Sequence, residues 1–170
     1  MIWGEIFAEL EAELQAIHKG EREAEVVEMV HAEAATISFG DRLRNRKGHT
    51  LYLRLRHGET RSGELAEATQ SWCFLHDGNR RHIIPFHAIV CAWPLSGAAP
   101  PPRGITARLS LGYALRKLAS QAALVRVVTE GGSFQGHIGM VGADYCDLHT
   151  PAKVIAISWS SILTIEAPGD

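Results

Sequence analysis

Two stretches of this chain, HGETRSGELAEATQSWCFL from His57 to Leu75 and EGGSFQGHIGMVGADYCDL from Glu130 to Leu148, carry one pattern twice. They align without a gap at an offset of 73 residues, placing Gly58 on Gly131, Gly63 on Gly136, Leu65 on Ile138 and Cys73 on Cys146. Trp72 falls on Tyr145 and Leu75 on Leu148, and the register runs on through Ile84 and Ile157, Phe86 and Trp159, and Ile89 and Ile162. Glycines match glycines and apolar residues match apolar ones. A period this long exceeds a solenoid unit and predicts a duplicated small domain.

The texture around each copy is that of short strands. LYLRLR, from Leu51, alternates so that Leu51, Leu53 and Leu55 share a face. Arg61 to Ala68 and Trp72 to His76 read as the next two strands. DGNR, Asp77 to Arg80, is a hairpin signal because Asp-Gly accepts the positive φ such turns need. HIIPF and AIVCAW complete five, with Pro85 at a strand end or bend. Five more strands are expected at 123–129, 134–141, 145–149, 153–158 and 161–166. Gly63 and Gly136 fall inside strands, where the missing side chain permits the sharp bend that a small barrel requires. Each set has a helix before it, at 39–46 and 105–120. PLSGAAPPPRG, Pro94 to Gly104, reads as an extended proline-rich linker.

Before the first set, Trp3, Phe7, Leu10, Leu14 and Ile17 recur at helical spacing, with Glu5, Glu9, Glu11 and Glu13 between them. Gly20 marks a potential kink. The expected organisation is an acidic amphipathic helix at 1–37, a first barrel at 38–93, the linker at 94–104, and a helix plus second barrel at 105–167. The fold class is mainly β with helices, α+β: an N-terminal helix and two tandem five-stranded Sm-like or SH3-like barrels, each preceded by a helix.

The net charge of −2 conceals an asymmetry. Residues 1–35 hold nine glutamates against Lys19 and Arg22, whereas Asp41 to Ala92 hold nine basic and five acidic residues. Such a distribution is compatible with a polyanionic partner but is less basic than typical nucleic-acid binders. The three cysteines have no metal-type or disulfide-type spacing and favour a reducing compartment. No secretory pattern or membrane-length apolar run is present, so the expectation is a cytoplasmic protein with no membrane partner. His76, His82 and His87 lie in or beside one hairpin, without the tight ligand spacing of a zinc site. No nucleophile elbow, phosphate loop or dinucleotide fingerprint occurs, and neither an enzyme nor a cofactor is expected.

A helix followed by five bent strands, with glycines five residues apart, resembles the Sm-like family, which includes the Sm and LSm proteins and the bacterial RNA chaperone Hfq. The likeness rests on LYLRLRHGETRSGEL and VRVVTEGGSFQGHI, which resemble the family's first motif, and on FHAIV, Phe86 to Val90, which resembles a segment of Hfq. It covers residues 39–93 and 112–167 as two divergent copies. His87 stands at the Hfq histidine, while Phe86 replaces its lysine and the Arg-Gly pair of the second motif is absent from both copies. The resemblance implies binding of RNA or single-stranded nucleic acid. Arg42, Arg44, Arg46 and Lys47 would hold phosphates and His87 a base or sugar. It equally implies an assembly or protein-interaction module, forming a homo-oligomer or recruiting a partner through strand edges and the N-terminal helix.

Overall fold

The structure, a computed structural model, describes residues 2–101 and 109–168, with side chains from 11 to 101 and 109 to 167. It divides into two compact units, one ending at Ser38 and the other beginning at Phe39. The first is a single helix, α1 (Ile2–Ala34), which runs unbroken through Gly20. Leu14, Ile17, Val27 and Val30 on it are exposed.

The second unit opens with a short helix, α2 (Phe39–Arg44), followed by β1 (Thr50–Leu55), β2 (Thr60–Ala68), β3 (Trp72–His76), β4 (Arg80–Pro85) and β5 (Ile89–Trp93). Helix α3 (Leu111–Ser120) precedes β6 (Leu124–Thr129), β7 (Gly132–Val141), β8 (Tyr145–His149), β9 (Val154–Ser158) and β10 (Ile162–Pro168). The sequence pattern starts α3 at residue 105, but positions 105–108 lie outside the described residues. The helix begins at Leu111 because the Ser110 hydroxyl caps it, accepting from the Tyr113 N–H at 3.2 Å.

The ten strands make one antiparallel sheet in the order β5-β1-β2-β3-β4-β10-β6-β7-β8-β9. This corrects the expectation of two separately closed barrels: the sheet is open, with β5 and β9 as its edges. The reason is the seam at which β4 pairs with β10, in the register Ile83 to Ile165 and His82 to Glu166. Each half keeps the same internal order, last strand first.

The repeat extends to individual hydrogen bonds. Thr69 N–H donates to the Trp72 carbonyl at 2.9 Å, and Gly142 to Tyr145 at 2.9 Å. Phe86 donates to Ser71 at 2.8 Å, and Trp159 to Asp144 at 2.9 Å. Both β2 and β7 carry an irregularity after equivalent residues, Leu65 and Ile138. Preceding the first hairpin of each half the offset becomes 74, since Leu51 pairs with Gly63 and Val125 with Gly136. The second turn is one residue shorter.

Those two glycines are close-approach positions. A Cβ on Gly63 would sit 2.3 Å from the His76 carbonyl oxygen, and one on Gly136 would sit 2.2 Å from that of His149. Gly58 answers a different demand, a positive φ of 89° in its turn.

The cores interlock at the seam. Alternation along β4 and β10 sends His82, Ile84 and Glu166 to one face of the sheet, and Ile83 and Ile165 to the other. The first face meets the core of the first half, where Leu51, Leu53, Leu65 and Leu75 are joined by Leu163 from the second half. The opposite face meets the second core, where Val125, Val127, Ile138 and Leu148 are joined by Trp72 and Ile83 from the first half. Trp72 is thus a core residue, its indole N–H donating to the Leu109 carbonyl at 2.9 Å. Full burial of a leucine such as Leu163 stabilises by about 1.5–3 kcal/mol.

Alanine at Gly63 or Gly136 should therefore cost at least about 1–3 kcal/mol, the range for overpacking a filled site. Alanine at Gly20, which has no atom within 4 Å of an added Cβ, should instead stabilise α1 slightly. Denaturant unfolding of the three variants checks the contrast.

Candidate functional site

The sequence places four cations around α2, and their environments differ. Arg44 is mostly buried and its guanidinium pairs with Asp41 while donating to the Pro100 carbonyl at 2.6 Å. Lys47 pairs with Glu67 of β2 at 2.7 Å. Arg42 is exposed, and neither it nor Arg46 has an ion pair among the described residues. The Nε of Arg46 is buried without a hydrogen-bond partner. The proline-rich segment is held here as well, since Ala99 N–H donates to the Asp41 carbonyl at 2.9 Å and Asn45 Nδ2 to that of Ser96 at 2.5 Å.

His87 is not gathered into this cluster. It lies in the 3-10 turn Phe86–Ala88, and its Nε2 meets the Ile162 carbonyl of β10 at 2.9 Å. Its imidazole therefore bridges the halves. The three hairpin histidines have separate partners: His76 stacks edge-on to Phe74, His82 bonds Asp77, and His87 bonds Ile162. Among the described residues, no group of three or more His, Cys, Asp or Glu side chains is arranged to hold a metal. Cys73 and Cys146 occupy equivalent buried positions, and burial pushes their thiols up to about 12 and about 11. For Cys146 the neighbouring Asp147 charge adds to the effect.

A second charged cluster, invisible to local reading, stands on the seam. Glu166 of β10 is only 5% exposed, yet four basic side chains converge on it. Arg61 from β2 reaches it at 3.1 Å, Arg80 from β4 at 3.5 Å, His82 at 3.8 Å and Arg126 from β6 at 4.0 Å. Arg61 also holds Glu59 at 2.6 Å, and His82 Nε2 lies 2.8 Å from Asp77 Oδ2. A cavity of about 600 Å³ opens over this cluster. On the sheet's other face a cavity of about 580 Å³ lies between α3 and the seam, floored by Trp72, Ile83 and Ile165.

The carboxyls around the hub are shifted. The hydrogen bond and charge of Arg61 hold Glu59 below its usual range. Partial burial works to raise Asp77, but the hydrogen bond and charge of His82, with the backbone N–H groups of Arg80 and Asn79, outweigh it and hold the carboxyl low.

The chain matches no protein-family model, and a search of curated proteins finds no similar sequence. Among the described residues, no helix is long and apolar enough to cross a membrane.

Because Asp77 is lowered on folding, its contribution is present above the ordinary carboxylate range and lost as pH falls through the folded value. The unfolding free energy should thus decline as pH drops below about 4. Asp77→Asn should make that decline shallower in denaturant titrations run across the acid range.

Proposed function

We propose that this chain is a non-enzymatic assembly module of the Sm-like kind, in which two five-stranded halves are joined edge to edge and the outer edges repeat the join between copies. The observation that carries this reading is one pair of residues. Leu163 on β10 is fully buried in the core of the neighbouring half. Val90, its counterpart at the offset of 73, is 64% exposed on β5. The sheet edge thus ends in a side chain whose equivalent is a core residue wherever the join is complete.

The same offset supplies a register. The seam pairs Ile83 with Ile165 and His82 with Glu166 become Ala156 with Ala92 and Ile155 with Trp93 between copies. Trp93 is 40% exposed, stacked on Tyr52 at 5.7 Å, and Val154 beside Ile155 is exposed. The join between copies would be apolar where the seam is charged. Unpaired strand edges invite such pairing, and a head-to-tail contact makes a ring if its rotation closes. Three chains would present six halves.

Light scattering on the full-length chain should give a mass several times that of one chain. Val90→Lys should return it to the monomer with unchanged circular dichroism, because the side chain is exposed. A wild type that stays monomeric through the micromolar range would refute the assembly.

A second reading, single-stranded nucleic acid held at α2, is favoured by Arg42 and Arg46 having no acidic partner among the described residues. Arg44 and Lys47 are occupied by Asp41 and Glu67. With two cations available, log K should fall with log salt at a slope of about −1.4, against about −2.8 if all four cations bind phosphate. Filter binding of a U-rich oligonucleotide over a salt series measures this, and no retention at low salt would remove the reading.

A further inference from the structure

We infer that the cavity over Glu166 is a binding site for a small phosphate-bearing anion, clamped by Arg80 and Arg126 across the seam. The wall of this cavity carries donors that the rest of the protein leaves largely uncommitted. Each guanidinium offers five N–H groups, and three of them line this cavity. Within the protein they meet few acceptors: Glu59 and Glu166 for Arg61, Glu166 for Arg80, and Glu166 and Ser133 for Arg126.

Arg80 and Arg126 approach the same oxygen, Glu166 Oε2, at 3.5 and 4.0 Å. Neither reaches the about 2.7–2.9 Å of a charge-assisted hydrogen bond. Both are more than half exposed, so their forks are free to turn toward the cavity. The wall holds one further unmet group. His82 is 2% exposed, and its buried Nδ1 faces Glu166 Oε1 at 3.8 Å, too far for a hydrogen bond. Buried polar atoms are seldom left so.

Planar guanidinium forks match the oxygens of a phosphate two at a time. The remaining lining fits a compact ligand with a polar body, since Thr60, Ser62 and Asp77 offer hydroxyls and a carboxylate. A running strand suits it less: Arg61, Arg80 and Arg126 all gather at one carboxylate, Glu166, rather than following one another along a track. Because Arg80 comes from the first half and Arg126 from the second, the bound anion would also tie the halves together.

Calorimetric titration of the full-length chain with inorganic pyrophosphate, at constant ionic strength, tests the site. Saturable binding is expected, together with a raised melting temperature. Arg80→Gln with Arg126→Gln should weaken binding by about tenfold or more, the effect of losing one charged hydrogen bond. Arg80→Lys should fall between, keeping charge but losing the fork. Lys153→Gln, outside the cavity, controls for net charge and should leave binding unchanged. Val90→Lys should bind as the wild type does, because the cavity lies within one chain. No pyrophosphate binding, or equal binding by the double glutamine variant, would overturn the inference. An oligonucleotide bound through these arginines when pyrophosphate is not would overturn it in favour of a strand.

Discussion

The antiparallel ladder between β4 and β10 is the constraint on which this structure rests. Without it each half would have a second unpaired strand edge besides β5 or β9, with N–H and C=O groups available to other chains. It also places a strand pair whose two faces look into different cores. Leu163 fills one and Ile83 the other, so pulling the halves apart would open both at once. A proline-rich connection between independently folded domains would make no such demand. Here residues 96–100 are held against α2 by backbone and side-chain hydrogen bonds, and the ladder joins the halves directly.

The repeated elements were legible in the sequence because their causes are local or periodic. Gly63 and Gly136 mark the points where one strand crosses close to a neighbour's carbonyl, and only glycine fits there. Cys73 and Cys146, small and apolar, mark equivalent core positions. The alternation of Leu51, Leu53 and Leu55 records a strand with one buried face. The seam left no comparable trace. β4 and β10 lie about half the chain apart, and hydrophobicity on both faces of a strand distinguishes a covered strand without saying which strand covers it. One open sheet and two closed barrels are built from the same short strands, and the pairing of two edges separates them.

Charge was legible only where it was consecutive. The run from Arg42 to Lys47 stands out in the sequence, yet Asp41 and Glu67 neutralise two of its members, the second across 20 residues. The hub at Glu166 shows the converse. Arg61, Arg80 and Arg126 look like unrelated residues on three strands until the register brings them to one carboxylate. Its counterpart on the outer edge is Trp93, so equivalent positions carry charge inside the chain and an aromatic ring at its border. That difference would keep the intramolecular join from being exchanged for an intermolecular one. A register placing Glu166 against Ile155 would leave a largely buried carboxylate without His82.

Hydrogen–deuterium exchange as a function of protein concentration addresses the proposed repetition of the seam most directly. Amides of β5 and β9 should become more protected as concentration rises, while β4 and β10 should be equally protected throughout. Outer strands that exchange as free edges at every concentration, or a seam whose protection depends on concentration, would contradict it.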